Sequence, residues 1–246
     1  MNYEMQSIED LILMLRQRVS KDNRILWFRG HRDGSWKLSP TIKRGYNSND
    51  ERNLTHRFRS RAGIRHEHLP AYDDLASWLA LMQHYGLPTR LLDWTRSPMV
   101  ALFFALDGSY RVKHPVDACI WILEPHALNK AQRFEPYTAA LNAWMYSDLI
   151  KPAYYHKSTE PETVAAAMTS ETDQRMFVQQ GCFTVHSADL PLEEIKLPDQ
   201  VLTKIKIPAE CVQQLSFDIE LCGFRRGDLF PDLQNLADEL RTTYGK

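Results

Sequence analysis

Two stretches set arginine among apolar residues, and that constrains the fold more than any other feature of the chain. They are Trp27-Phe28-Arg29-Gly30-His31 and Gln83-His84-Tyr85-Gly86-Leu87-Pro88-Thr89-Arg90-Leu91-Leu92-Asp93-Trp94-Thr95-Arg96-Ser97-Pro98. Arginine is almost never fully buried without a partner. Such segments therefore need either an internal salt-bridge network or a cleft that holds an anion. Arg29 ends a strand-like run from Ile25 to Phe28, and Gly30 after it lets a ligand approach the backbone closely. Arg90 precedes Leu91-Leu92 and is expected at least partly inside. A guanidinium fork suits phosphate or carboxylate in two-point contact. The alternative is that Arg29 or Arg90 pairs with Asp93 and pins the fold.

At 246 residues, 43% apolar and 25% charged, the chain is long enough for a sizeable core and shows no sign of disorder. Its net charge of -1 gives no global field for nucleic acid, which is not the expected partner. The one basic cluster, Arg57-Phe58-Arg59-Ser60-Arg61 with Arg65, reads as a solvated helix face, with a phosphate-contacting patch as the alternative. The four cysteines show no metal or disulfide spacing, and Cys119 and Cys182 sit in apolar runs as small hydrophobes. Met1-Asn2-Tyr3-Glu4 lacks a basic, then apolar, leader, and no stretch has bilayer-spanning length. A soluble, cytoplasmic protein with no membrane partner is expected.

Ser7 caps a helix whose inner face is Ile8, Leu11, Ile12, Leu15 and Val19. A basic helix is expected over 51–65, and Asp73-Asp74 caps a stronger one that ends at Tyr85-Gly86. Residues 89–94 are expected to turn sharply. Ser97-Pro98 then starts a buried helix, which puts Asp93 to Ser97 at a helix N-terminus facing an anion. Ala118 to Leu123, Met176 to Val178, Cys182 to Val185 and Val201 to Ile207 read as strands. Residues 137–149 read as helix and 150–172 as a loop with at most a short helix at Val164–Met168. Amphipathic helices are expected over 208–217 and 228–241. The pattern predicts one α+β domain over 1–246, with small mixed or antiparallel sheets flanked by helices.

The chain holds no GxGxxG after a strand, no P-loop, no GxSxG elbow and no HExxH. His66-Glu67-His68 offers two imidazoles but no third ligand nearby, so it reads as an exposed loop and no metal is expected. His31 and His84 are candidate acid/base groups, with a structural role the alternative for His84. Trp94 either stacks on a base or fills the core. Gln180 offers amide hydrogen bonds in the late strand pair.

Phe28-Arg29-Gly30, the long word from Gln83 to Thr95, Ser97-Pro98 and Ala101-Leu102-Phe103-Phe104-Ala105 together resemble the FRG domain family. The likeness extends to Gln179-Gln180-Gly181-Cys182-Phe183-Thr184-Val185 and to Leu229-Phe230-Pro231-Asp232-Leu233. It implies a single FRG-type domain, with an N-terminal helix in 1–22, a core at 24–125 and its second half at 126–246. It also implies a prokaryotic or phage-related setting of defence or toxin type. More distantly, Phe28-Arg29-Gly30 is similar to the early Arg-Gly strand of Arg–Ser–Glu ADP-ribosyltransferases, whose arginine grips NAD phosphate. Residues 93–98 would match the following strand-to-helix element, and 173–181 the late strand that carries a catalytic glutamate. The sequence departs there: Arg175 stands in the glutamate's place, so either Asp173 or Glu171 substitutes or the pocket binds a nucleotide without that chemistry.

The resemblance thus implies NAD as the ligand, a nucleotide-like small molecule, and ADP-ribosyltransferase or NAD glycohydrolase activity, with a protein target for a transferase. Asp93, His31 and Asp173 are the candidate catalytic groups. Arg29, Gly30, Arg90, Trp94, Thr95, Ser97 and Gln180 are the candidate ligand-binding residues. The competing reading is a non-catalytic ligand-sensing or protein-interaction module.

Overall fold

The computed structural model describes residues 3–19, 25–108, 115–156, 162–169 and 174–245. Along the chain run β1 (Tyr3–Glu4), α1 (Ile8–Val19), β2 (Trp27–His31), α2 (Ser48–Ala62), α3 (Leu75–His84), β3 (Leu91–Thr95), α4 (Pro98–Leu106), β4 (Ala118–Leu123) and α5 (Pro125–Ala131). Then follow α6 (Ser147–Ile150), β5 (Val164–Met168), α7 (Gln174–Val178), β6 (Gly181–His186), β7 (Leu202–Ile207), α8 (Val212–Leu221), α9 (Arg226–Leu229) and α10 (Leu233–Tyr244). The architecture is α+β. The strands form one seven-stranded sheet, β1-β7-β4-β2-β3-β6-β5, in place of the several small sheets expected. Among the described strands only β1 and β7 pair in parallel, and an isolated parallel bridge joins Ala140 to Met168 of β5.

The helix ends follow local chemistry. Ser7 Oγ accepts from the Asp10 N–H at 3.1 Å while the Asp10 carboxylate takes the Ser7 N–H at 2.9 Å. Asn47 and Asp50 make the same reciprocal cap on α2, which starts it three residues before the acidic Glu51 suggests. Asp74 caps α3, and Gly86, with φ of 76°, lets the chain leave it in the left-handed region.

Residues 91–95 do not turn. Pro88 and Gly86 complete the reversal, and Leu91, Leu92, Trp94 and Thr95 are buried between β2 and β6 as strand β3. The 150–172 region contains strand β5, whose Val-Ala-Ala-Ala-Met sequence carries no alternation to reveal it. Residues 176–178 belong to helix α7, not to a strand, and 137–149 is irregular apart from short turns leading into α6. Pro231 splits the expected C-terminal helix into α9 and α10, with Asp232 capping the second. Leu233, Leu236 and Leu240 of α10 are exposed, contrary to the inward face that their spacing suggests.

Cross-strand register puts Phe28, Asp93, Phe183, Ala167 and Ile120 on one face of the sheet. Two groups of helices cover that face. Phe28, Ile120 and Ile205 pack with α1, α4 and α8, whereas Leu91, Phe183 and Val185 pack with α3 and α6. Gly30 permits the first: a Cβ there would lie 1.9 Å from the Ala101 carbonyl oxygen of α4 and 2.5 Å from the Ala105 nitrogen. The other face buries Trp27, Leu92, Trp94, Cys119 and Trp121. At the β5 edge, Asn129 of α5 donates to the Ala166 carbonyl at 3.0 Å and accepts the Ala166 N–H at 2.7 Å. Tyr146 Oη donates to the same carbonyl at 2.8 Å.

Arg90 is fully buried and answers the burial question with an internal ion pair. Its Nε and Nη2 donate to the two Glu51 carboxylate oxygens at 2.8 and 2.5 Å, and Nη1 donates to the Leu149 carbonyl at 2.8 Å. The basic helix α2 is likewise only partly solvated. Arg59 is buried, its guanidinium 3.9 Å from the Tyr72 ring centre and 5.2 Å from that of Tyr154.

Replacing Glu51 by Gln leaves the Arg90 cation uncompensated in the interior and is expected to cost about 3–5 kcal/mol, read as a lowered urea midpoint. Gly30→Ala forces α4 off β2 and is expected to destabilise the fold by about 3 kcal/mol, read in the same way.

Candidate functional site

Strands β2 and β3 are registered at a single position, Phe28 opposite Thr95, whereas β2 and β4 are registered over five. Beyond Phe28 the two strands part. Into the gap opens a cavity of about 310 Å³ lined by Arg29, His31, Asp93 and Thr95 from the strands. Helix α3 contributes Gln83 and His84, α4 contributes Phe104, and α7 with its following turn contributes Arg175, Met176 and Gln179. The cavity is the seam between the two helical groups on that face of the sheet.

Arg29 crosses the gap. Its Nη1 donates to the Asp93 backbone carbonyl at 2.6 Å, and its Nε donates to His31 Nε2 at 3.0 Å. Nη2 has no hydrogen-bond partner among the described residues, and no carboxylate lies within ion-pair distance of the guanidinium. Burial pushes its pKa below the ordinary value, opposed by the charge of Asp93. Arginine nonetheless remains charged at neutral pH. The site therefore holds a half-buried cation whose third nitrogen is left to whatever fills the cavity.

His31 cannot serve as the acid/base group expected of it. Its Nε2 lone pair accepts from Arg29, and the ring is buried. Burial, then the charges of Arg29 and Arg44, push its pKa down to about 3. It is neutral at physiological pH and positions Arg29.

Asp93 is the exposed residue of an otherwise buried strand. It lies mid-strand, not at a helix N-terminus. Gln83 Nε2 donates to Asp93 Oδ2 at 2.6 Å, and Thr89 Oγ1 donates to Gln83 Oε1 at 2.5 Å, which fixes the amide's orientation. Asp107, the other acid on the lining, is paired with Arg226 at 2.5 Å. Arg175 donates to the His84 carbonyl at 3.4 Å and lies 4.8 Å from the Phe230 ring centre. Arg29, Arg32 and Arg175 thus face one uncommitted carboxylate, and the cavity is biased toward anions.

Of the remaining expected ligand contacts, Arg90 is withdrawn into its pair with Glu51. Gly30 lines the cavity, but its lack of a side chain serves α4 and not a ligand. The Trp94 indole is buried and donates to Thr184 Oγ1 at 3.0 Å, so it cannot stack on a base. Thr95 Oγ1 donates to the Gln179 carbonyl at 2.6 Å and accepts the Ser97 N–H at 3.0 Å. Ser97 Oγ takes the Val100 N–H, so the start of α4 is capped by the chain's own hydroxyls. The cavity meets α4 at its other end, through Phe104. Gln180 adopts a positive φ of 48° in the turn before β6, and its neighbour Gln179 is the one that lines the cavity. Asp173 and Glu171 lie outside the described residues.

Sequence reasoning missed Gln83, Arg175, Gln179 and Phe104 as site residues. The signal for Gln83 was its place ten residues before Asp93, one helix and one turn away. Arg175 was noticed only as a departure from a glutamate. A wider groove of about 1190 Å³ runs along β4 and β7, where Lys206 pairs with Asp117 and Lys204 donates to the Gly34 carbonyl. Among the described residues no group of three or more His, Cys, Asp or Glu side chains could hold a metal ion, and no helix is long and apolar enough to cross a membrane.

Residues 24–113, which include Phe28-Arg29-Gly30, β3 and α4, match the FRG domain family. The chain carries an FRG domain. Comparison with curated proteins and with solved structures found no match. The FRG segment supplies β2 and β3 at the centre of the sheet, but their outer partners β4 and β6 lie beyond it. Arg29 and Asp93 belong to the segment, while Arg175 and Gln179 close the cavity from outside.

A second imidazole is held neutral in the core. His186 Nε2 lies 2.8 Å from Thr184 Oγ1, which already accepts from Trp94, so the hydroxyl donates to the ring. Burial, then the charges of Lys43 and Arg29, push its pKa down to about 3. In the unfolded chain both imidazoles protonate near pH 6.5. Between pH 6.5 and about 3 the unfolded state therefore binds more protons, and stability falls as pH falls through that window. Urea midpoints measured from pH 7.5 to 4 should fall progressively below pH 6.5, and His186→Gln should flatten that limb.

Proposed function

We propose that this FRG-domain cavity binds a nucleotide of the NAD type and that Asp93 acts on its ribose. The observation that carries the reading is Arg29, a half-buried guanidinium that lines the cavity with its Nη2 unused among the described residues and no carboxylate partner there. A half-buried cation without a counter-ion gains by exchanging its remaining water for an anion. Phosphate satisfies it in charge and geometry. The Phe104 ring and the Trp36 indole at the rim offer apolar surface for a base, and Arg32 adds a further cation there.

Asp93 supplies the carboxylate that the resemblance to ADP-ribosyltransferases assigns to a glutamate. Held by Gln83, it accepts a ribose hydroxyl and offsets the positive charge that builds on the ribose as the bond to nicotinamide breaks. The bonding pair leaves with nicotinamide, water or a target side chain forms the new bond at the same carbon, and the proton this nucleophile loses passes to the Asp93 carboxylate and on to solvent. His31 takes no proton in this scheme. Its lone pair keeps Arg29 aimed across the gap.

Calorimetry with NAD, ADP-ribose and AMP should show binding to the wild type and at least a tenfold loss with Arg29→Ala. Nicotinamide release should fall at least a hundredfold with Asp93→Asn while NAD affinity stays within threefold. Binding of NAD with no release by the wild type, with or without cell lysate as acceptor, assigns the domain to ligand sensing. A folded wild type that binds no nucleotide overturns the proposal.

A further inference from the structure

A second cavity, about 430 Å³, lies under α3 on the far side of His84 and Met176. Those two residues line both cavities, so the second chamber adjoins the first at this point. The partition is soft on one side. Met176 is an unbranched thioether with three rotatable bonds. It lies against Gly181, where a Cβ would sit 2.6 Å from its methyl carbon.

The two chambers differ in chemistry. The first is polar and cationic. The second has no arginine or lysine on its lining; Leu69, Leu81 and Leu141 stand beside Asp74, Ser77 and Asn142, and at its rim stands Tyr85, 57% exposed. That ring is held edge-on by His84 at 4.9 Å and 79° and by His66 at 5.9 Å and 81°. An exposed tyrosine braced by two imidazoles is a ready stacking surface for a planar heteroaromatic ring. On the wall of the first chamber, Arg175 donates to the carbonyl of His84, the residue that both chambers share, which puts a guanidinium beside the junction.

Size decides how the chambers are used. Pockets for drug-sized ligands run from about 300 to about 1,000 Å³. At about 310 Å³ the first chamber is at the small end, adequate for one nucleoside with its phosphate. We infer that the site is bipartite and takes a dinucleotide. The nicotinamide nucleoside and its phosphate lie beside Arg29 and Asp93, the pyrophosphate passes His84 and Met176 near Arg175, and the adenine lies in the second chamber against Tyr85. This inference rests on the nucleotide reading above and specifies its substrate class.

The test compares a mononucleotide with a dinucleotide. Ala80 lines the second chamber, and Ala80→Trp fills it without touching the first. Calorimetry should show NAD bound at least tenfold more weakly by Ala80→Trp than by the wild type, with nicotinamide mononucleotide affinity unchanged. Tyr85→Ala, an exposed substitution that spares the core, should weaken NAD about tenfold by loss of stacking and leave nicotinamide mononucleotide unchanged. NAD affinity within twofold of the wild type in both variants overturns the bipartite site while leaving the nucleotide reading intact. Equal affinity of the wild type for nicotinamide mononucleotide and NAD also overturns it. Failure of the folded wild type to bind either ligand overturns both.

Discussion

Everything at the site follows from the parting of β2 and β3 after one registered pair. Full pairing would place the Asp93 carbonyl against a strand neighbour and leave Arg29 a residue of the opposite face. The gap instead gives the carbonyl to the Arg29 side chain, which draws a cation into the plane of the sheet. The same gap separates the helices over β2 from those over β3. Phe28 and Gly30 serve the first group, because α4 lies so close to β2 that no side chain fits at Gly30. Leu91 and Phe183 serve the second. The cavity is what remains between two cores that share one sheet.

The two arginines of the opening segments show how one chemical requirement is met in opposite ways. Arg90 finds Glu51, thirty-nine residues earlier, and with the Leu149 carbonyl every nitrogen of its fork is engaged inside the fold. Arg29 finds only neutral acceptors, a backbone carbonyl and an imidazole held uncharged. The first arginine fastens α2 to the start of β3. The second remains able to receive an anion. Sequence flanks alone do not separate them, since each precedes or follows an apolar pair. The difference is set by a glutamate on a helix that looks basic and solvated.

That contrast marks the limits of what the sequence discloses. Helix starts are legible because caps are local: Ser7 with Asp10, Asp74 with Ser77, and Ser97 with Val100 lie within one turn. The β4 and β7 strands are legible because their apolar runs are long or alternate. β5 is not, since alanine has weak strand preference and its burial depends on β6 and α5. Asp93 and Arg29 are legible as polar residues in apolar surroundings, but the helix-dipole role given to residues 93–97 fails because β3 extends through Thr95 and the hydroxyls of Thr95 and Ser97 cap the turn. Gln83, Arg175 and Gln179 reach the cavity only through tertiary packing. The leucines of α10 are exposed because spacing fixes a stripe but not the side on which the rest of the protein lies.

The Asn129 carboxamide at the β5 edge has a consequence for how the protein behaves in company. An outermost strand of valine, alanines and methionine is flat, uncharged and free of proline, which is a template for another chain to extend. By giving Ala166 both a donor and an acceptor, Asn129 imitates one residue of a neighbouring strand. On either side of it the chain supplies the rest: Gln132 accepts the Val164 N–H, and residues 139–141 bridge Met168 through both its backbone groups. The sheet is ended by a counterfeit strand pieced together from two side chains and a loop, and its outward groups at 164, 166 and 168 are already spoken for when another molecule approaches.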